Sequence, residues 1–400
     1  MKSFLHYKSL LESVANEQQL THLYHNEEHI LNHGEGGFHH ALANLHDVHT
    51  ALSSKKNSPH TKITQKIDGS PSLIFGRHPI NGRHFVATKS AFNKEPKINY
   101  THEDIDKNHG HAPGLASKLK AALDHMHKVV PEHGVYQGDV LHSSEDKHVD
   151  SEHVSFKPNT INYSIHKSHP DYKKAVNSKF GIAVHTKYEG HPDSDHHING
   201  MHATFNVDHH NFKHHEDVHL VSPEVSTKHM KYSASQKAHV ENELTSAKAV
   251  HKSIEPHEYA AVQHHDAHLR KYFNSKIRDG GHPTVDEYHA VTHKHLVADA
   301  EKMKSEKGKA VKMHTANAFD AHLKNNRPAF EKAFKLHDHL QNAKNTLVDA
   351  LSSHQEYRHT VNGQEVKPEG FVVVRHGRPS KLVDRKEFSR LNFENNRGRA

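Results

Sequence analysis

A strand that ends in a lysine and a tight turn is the most informative feature of this sequence. Residues 62–67 alternate between polar and apolar side chains, which is the pattern of a half-buried strand. Asp68 and Gly69 follow at once, and Pro71 completes a turn. Lys66 is therefore expected at a strand end, where it could act as a nucleophile if burial or nearby cations depress its pKa. The alternative interpretation is an ordinary strand followed by a turn.

Several other segments also predict strands. Residues 72–76 and 83–90 flank Pro-Ile-Asn-Gly at residues 79–82, which is typical of a hairpin. A helix is predicted over residues 115–130, after Pro113 and Gly114. Further strands are predicted at residues 134–140, 180–185, 218–223, 371–374 and 380–383. Together these segments predict an α+β fold.

In their order along the chain, these segments resemble the motifs of the covalent nucleotidyltransferases, which include ATP-dependent DNA ligases, RNA ligases and mRNA capping enzymes. Lys-x-Asp-Gly at residues 66–69 resembles motif I of that superfamily. Glu369 and Gly370, followed by apolar residues, resemble motif IV, and Lys381 resembles the start of motif V. Residues 88–90, 134–140 and 180–185 resemble the family's short basic motif, its strand with an aromatic residue, a glycine and an acid, and its strand beside the adenine.

The resemblance implies a ligase-type nucleotidyltransferase core, in which antiparallel sheets surround a nucleotide groove. Lys66 would attack the α-phosphate of ATP and form a lysyl-AMP. The AMP would then pass to a 5′-phosphate so that RNA or DNA ends are sealed. Glu369 would help to hold Mg²⁺, because phosphoryl chemistry needs cations around the phosphates. The residues implied to contact the nucleotide are Gln65, through its neighbouring backbone, Asp68, Gly69, Lys89, Asp139 and Lys381.

The sequence departs from the family pattern at two of these positions. Asp139 stands where the family usually has Glu, and Val383 replaces the second lysine of motif V, which leaves Arg385 or Lys386 as substitutes. Two alternatives to a ligase therefore remain open. One is a capping-type guanylyltransferase that uses GTP with the same lysine. The other is a structural protein that keeps the fold without activity.

Composition favours an anionic partner. The formal net charge is +6 and the sequence pI is about 9.0, which suits nucleic acid. The resemblance to the ligases implies that RNA is favoured over DNA. The 51 histidines are scattered along the whole chain. This pattern favours an accumulation of histidine at surface positions by compositional drift over a dedicated metal store. No cysteine and no long apolar run is present, so we expect a cytoplasmic, monomeric protein without a membrane segment. The overall layout resembles that of tailed-phage proteins.

Four regions are predicted along the chain. They are a helical N-terminal region over residues 1–58, the first part of the core over 59–226, a helical insertion over 227–360, and the C-terminal core strands over 361–400. Helices within the insertion are predicted over residues 232–254, 256–278, 285–307 and 318–353. The glycines at 34, 36 and 37 predict a break between N-terminal helices, and residues 94–110 predict a long polar connection.

Two histidine pairs indicate an alternative function, a zinc-dependent protease. His25 and His29 fit the pattern His-x-x-Glu-His, and His215 and His219 fit His-Glu-x-x-His. On a helix, either pair could share a zinc ion as in metalloproteases. The second pair overlaps a predicted strand, where this spacing does not bring the two imidazoles together. A metalloprotease is therefore the least favoured alternative.

Overall fold

The computed structural model describes residues 23–56, 58 and 60–385, and it consists of two compact units. Within the described residues, the first unit contains residues 23, 60–226 and 354–379, and the second contains 24–56, 58, 227–353 and 380–385. The described N-terminal helix and the helices of the predicted insertion thus share one unit, although the sequence suggested separate regions. Residues 354–360, predicted as part of the insertion, belong with the strands of the first unit.

The strands lie mostly in the first unit. In chain order they are β1 (Thr61–Gln65), β2 (Ser72–Arg77), β3 (His84–Ala87), β4 (Ile98–Asn99), β5 (Gly134–Ser143), β6 (Lys147–Val149), β7 (His153–Phe156), β8 (Asn162–His166), β9 (Phe180–Gly190), β10 (Met201–Thr204), β11 (Val218–Val221), β12 (Arg358–Val361), β13 (Gln364–Glu365), β14 (Phe371–Arg375) and β15 (Arg378–Leu382). Described helices, in chain order, are α1 (His29–Ser54), α2 (His102–His109), α3 (Pro113–Met126), α4 (Tyr172–Asn177), α5 (Ala234–His251), α6 (Pro256–Gln263), α7 (Asp266–Asp279), α8 (Val285–Glu301), α9 (Glu306–Asn325) and α10 (Arg327–Leu351). The prediction of a mixed α+β fold is confirmed.

Three sheets organise these strands. The largest has the order β10-β9-β5-β2-β3-β4, with β11 pairing in parallel with β9. A second sheet has the order β13-β12-β8-β7-β6, and a third the order β1-β14-β15. The predicted hairpins are confirmed: β2 pairs with β3 around a turn in which Gly82 has a φ of 68°, and β14 leads into β15 through Gly377, with a φ of 76°.

The largest sheet is buried on both faces, which explains its apolar strands. On one face, Val140 and Ile182 pack in a cluster with Leu119 of α3. On the other face, Leu141 and Ala183 pack with Ile67, Phe156 and Tyr163. Alternate residues of β5 and β9 therefore enter different cores. Because Ile67 is anchored in the second cluster, the Lys66 turn is fixed against β5.

The polar segment at residues 94–110 is a correction to the prediction. It contains β4 and α2 rather than a long connection. Thr101 accepts a hydrogen bond from the Asp104 backbone, and the Asp104 side chain accepts one from the Thr101 backbone, so the helix starts in a capping box. Only Ile105 gives α2 a buried apolar contact, which is why hydrophobic periodicity did not reveal this helix.

Helices form the second unit, where α10 packs against α1 and α5. The predicted break at the glycines is confirmed as a kink: two helical stretches meet at Gly34, whose φ is 54°, without a loop between them. The predicted helix over 256–278 is divided into α6 and α7, and that over 285–307 ends at Glu301. A new helix begins after Ser305, whose hydroxyl accepts from the Gly308 backbone as an N-cap. No helix among the described residues is long and apolar enough to span a membrane.

Candidate active site around Lys66

Lys66 follows the last residue of β1 and is held by backbone contacts on both sides. Gln65 pairs with Phe371 of β14, and the Lys66 N–H donates to the carbonyl of Gly370 at 2.9 Å. The Gln65 N–H donates to the carbonyl of Pro223 at 2.7 Å. Neither backbone N–H is therefore free to donate to an adenine edge, so a nucleotide contact at Gln65 would have to use another group.

The Lys66 amine lies between two carboxylates from distant parts of the chain. Its Nζ donates to Asp68 Oδ1 at 2.5 Å and to Glu369 Oε1, which comes from the segment immediately before β14. Burial lowers the pKa of Lys66, but the charges of Glu369 and Asp68 outweigh it, and the pKa lies above its usual value. In this arrangement Lys66 is an ammonium ion, whereas the nucleophile interpretation requires a depressed pKa.

Glu369 has an unsatisfied oxygen in a nearly buried position. Its side chain is 7% exposed, and Oε2 has no hydrogen-bond partner. Burial raises the pKa of Glu369; the Lys66 ammonium opposes this increase, and Asp68 adds to it. A buried carboxylate oxygen without a partner is unfavourable unless a ligand completes it. Together with Asp68, Glu369 offers the one or two carboxylates by which Mg²⁺ is usually held beside phosphates.

The turn after Lys66 lies directly on β5. Ser70 donates its N–H to the carbonyl of Val140 at 2.9 Å, and Val140 donates its N–H to the carbonyl of Pro71 at 3.0 Å. A Cβ at Gly69 would lie 2.4 Å from the Val140 oxygen and 2.9 Å from the Asp139 Cβ. Only glycine permits this approach, which places Asp139 next to the Lys66 turn.

A β-bulge aims a histidine at Asp139. Along β5 and β9, Gln137 pairs with Thr186 and Gly138 with Val184, so His185 is the extra residue. His185 Nε2 lies 3.5 Å from Asp139 Oδ1. Burial raises the pKa of Asp139, but its interactions with His185, Ser72 and Lys66 outweigh burial and the pKa lies below its usual value. Asp139 is thus an ionised acid beside Lys66, and sequence patterns gave no indication of the bulge.

Tyr163 is a further member of this site that the sequence did not reveal. Its hydroxyl accepts from the Asp68 N–H at 3.1 Å, and burial raises its pKa, so it remains a neutral phenol. The ring of His359 packs edge-on against Tyr163, and His359 Nε2 lies 3.3 Å from Gln65 Nε2. Tyr163 belongs to β8, which lies in a different sheet from β1. In the sequence it is only an aromatic residue in a strand, and nothing local indicates that it contacts Asp68.

Lys89 and Lys381 are the two lysines that the resemblance implied to contact phosphates. Lys89 is exposed at the start of the 3-10 helix Lys89–Phe92, and in the described part of the chain its amine makes no hydrogen bond or ion pair with Asp68, Asp139 or Glu369. Lys381 is grouped with the second unit, and its backbone N–H donates to the carbonyl of Tyr24 at 2.9 Å. Their roles at a phosphate stay predictions.

Neither suggested substitute for the motif V lysine gains support. Arg385 donates to Glu28 Oε1 at 2.5 Å and to Asn274, so its guanidinium is committed within the second unit. The side chain of Glu28 is 7% exposed, and a nearly buried carboxylate is strongly unfavourable without a cation partner. Lys386 lies outside the described residues.

The two histidine pairs do not form zinc sites in the structure. His219 lies in β11, with its Nδ1 3.3 Å from His142 Nε2, while His215 Nδ1 lies 3.7 Å from Asp217. His29 Nε2 lies 2.8 Å from the hydroxyl of Ser380. Among the described residues, neither pair belongs to a group of three potential metal ligands, as a metalloprotease centre would require.

Comparison with known proteins identifies a protein family for this chain. No curated protein and no solved structure matches the chain. A family model described as "Family of unknown function (DUF6267)" matches residues 16–397. Since this match covers more than half of the sequence, the chain belongs to the family DUF6267, whose function is unknown.

Proposed function

We propose that this protein is a ligase-type nucleotidyltransferase that forms a lysyl-AMP at Lys66. The observation that carries the proposal is the position of the Lys66 amine between two acids: Asp68, two residues away in sequence, and Glu369, 303 residues away. These are the residues of the motif I and motif IV resemblances. The antiparallel pairing of β1 with β14 brings them together and is consistent with a ligase-type core.

In the proposed first step, the Lys66 amine attacks the α-phosphorus of ATP. An N–P bond forms, the P–O bond to pyrophosphate breaks, and the amine gives up its proton to solvent. The proton must leave before attack because an ammonium ion has no lone pair. Asp68 and Glu369 hold that proton in the structure, since both raise the pKa of Lys66. A Mg²⁺ ion held by Glu369 and Asp68 would supply positive charge at the phosphates and compete with Lys66 for these carboxylates.

The neighbouring residues have positioning roles in this proposal. Asp139 is ionised and faces His185, so it could accept hydrogen bonds from a nucleoside or hold water beside the metal. Tyr163 holds the backbone of Asp68 and thereby orients its carboxylate. The absence of a side chain at Gly69 keeps Lys66 and Asp139 close together. Lys89 and Lys381 remain candidates for the outer phosphates.

The proposed second step transfers AMP to the 5′-phosphate of a nucleic acid end, with RNA favoured, and a 3′-hydroxyl then displaces AMP. Exposed lysines in and before α9 offer a surface for the phosphate backbone: Lys304, Lys307, Lys309 and Lys312. Such binding releases counterions, so its affinity should fall steeply with salt concentration. An affinity that does not change with salt would argue against a nucleic acid partner.

Covalent labelling tests the proposal directly. The purified protein is incubated with Mg²⁺ and ATP or GTP labelled at the α-phosphate, and then separated on a denaturing gel. Label from ATP that stays on the protein supports the ligase interpretation, whereas label from GTP supports the capping interpretation. The raised pKa of Lys66 is the specific observation that favours an inert protein with the same fold. Absence of label from either nucleotide would support that second candidate.

A further inference from the structure

A cluster of three potential metal ligands lies in the second unit, in a different compact unit from Lys66. Glu35, His39 and His251 each offer one ligand atom, and these atoms all lie within 4.8 Å of one another. We propose that this cluster is a binding site for a divalent transition-metal ion with the preferences of Zn²⁺. Two imidazoles and one carboxylate are a ligand set that zinc uses in proteins, with the remaining position left to water. The proposal is independent of the proposed nucleotidyl transfer.

The kink in α1 positions two of the ligands. Gly34 has a φ of 54°, and a Cβ there would lie 2.8 Å from the side-chain oxygen of Gln263 in α6. The Gln263 amide also donates to the carbonyl of Asn32 at 3.1 Å, so the kink is fastened to α6. Regular helix resumes at Glu35, and Glu35 and His39 are then one turn apart on the same face.

The third ligand is oriented by its neighbours. His251 is the last residue of α5, and its ring stacks on Phe38 with ring centroids 4.2 Å apart. Its Nδ1 lies 2.8 Å from the hydroxyl of Tyr259 in α6. When Nδ1–H donates to this hydroxyl, Nε2 keeps its lone pair, and Nε2 is the atom that lies 4.0 Å from Glu35 Oε1. Metal-bound histidines commonly have such a partner on the other ring nitrogen.

The distances suit a site that closes slightly around the ion. Glu35 Oε1 lies 3.8 Å from His39 Nε2 and 4.0 Å from His251 Nε2. Tetrahedral zinc with bonds near 2.0–2.1 Å needs ligand atoms about 3.3 Å apart. The two Glu35 distances must therefore shorten by about half an ångström, and the distance between the two histidine nitrogens, which is at most 4.8 Å, by up to about 1.5 Å. Rotation of the Glu35 and His39 side chains can supply these movements because they are 48% and 60% exposed.

The large number of histidines does not by itself account for this cluster. Although the chain has 51 histidines, this is the one group of three ligands found among the described residues. It is also the place where α1, near the N-terminus, meets the end of α5, which lies about two hundred residues later in sequence. A bound ion would therefore join these two helices and stabilise the second unit through linkage.

Zinc titration of the untagged full-length protein tests the proposal. Competition between the protein and a chromophoric chelator for ZnCl₂ should reveal one tight site. E35Q and H39Q should each raise its Kd at least tenfold, and both positions are exposed enough for the variants to fold. Tyr259→Phe should weaken binding by about tenfold to a hundredfold, because it removes the partner of His251 Nδ1.

The matched control is H166Q. His166 is also a partly exposed histidine beside a glutamate and another histidine: its Nε2 lies 3.5 Å from Glu152, and its ring centroid lies 5.2 Å from that of His153. H166Q should retain the tight site, and zinc should raise the Tm of wild type and H166Q but not that of E35Q or H39Q. Wild-type affinity and stoichiometry in E35Q and H39Q would overturn the proposal, as would an equal increase in their Tm.

Discussion

Gly69→Ala tests the close approach of the Lys66 turn to β5. The added Cβ would lie 2.4 Å from the carbonyl oxygen of Val140, and contacts below 3.0 Å are essentially never seen. The turn or β5 must therefore move by at least about 0.6 Å, since the nearest atom is backbone and cannot rotate away. We expect a loss of about 1–3 kcal/mol in the free energy of unfolding of the first unit. If Lys66 carries nucleotidyl transfer, a displacement of this size should also lower labelling about a hundredfold.

The assay combines chemical denaturation with amide hydrogen exchange in β5. Circular dichroism is the probe of unfolding, since the chain has no tryptophan whose fluorescence could be followed. Amide exchange in β5 reports on the first unit alone. Gly114→Ala is the matched control: a Cβ at Gly114 meets nothing within 4 Å. This control lies in the first turn of α3 and should be neutral or stabilising by up to about 1 kcal/mol. Wild-type stability and wild-type exchange of β5 in Gly69→Ala would refute the packing argument.

Three further predictions concern the charged and buried groups. Lys66→Arg should abolish covalent labelling as fully as Lys66→Ala, because a guanidinium stays protonated; label on either variant in the gel assay would exclude Lys66 as the nucleophile. Glu369→Gln should lower labelling at least about a hundredfold, because the carboxylate beside Lys66 is lost, and wild-type labelling would remove Glu369 from the site. Burial lowers the pKa of His337 to about 3, although Glu27 opposes this shift. Since the unfolded chain binds that proton near pH 6.5, stability is lost as the pH falls below 6.5. Between about pH 7.5 and about pH 5, the free energy of unfolding measured by urea denaturation should fall by about 2 kcal/mol more in wild type than in His337→Leu. His314→Leu, at an exposed position of α9, is its control, and equal losses in wild type and His337→Leu would contradict the argument.

Local sequence patterns were sufficient for the strands and turns near Lys66. Alternation over residues 62–67 predicted β1, because a half-buried strand needs one apolar face. Asp68, Gly69 and Pro71 predicted the turn that ends it, and Pro-Ile-Asn-Gly predicted the β2–β3 hairpin. These features depend on residues a few positions apart, which is the range over which backbone conformation and side-chain periodicity act.

Helix boundaries were less predictable from local patterns. The polar helix α2 has one buried apolar residue and is specified by its capping box, so periodicity alone missed it. The glycines of α1 predicted the break in this helix but not its extent. Glycines normally indicate a break, but at Gly34 packing against α6 lets the helix resume beyond a single left-handed residue.

The chemistry of the candidate site was decided by tertiary structure. The resemblance implied that Lys66 and Glu369 serve one site, and the pairing of β1 with β14 is what brings them into contact. That contact reverses the expected direction of the Lys66 pKa, because the charges of two nearby carboxylates outweigh burial. The bulge at His185, the hydroxyl of Tyr163, and the group of Glu35, His39 and His251 depend on the same kind of long-range contact. Sequence periodicity records which side of an element is buried, whereas distances and charges across elements exist only once the chain has folded.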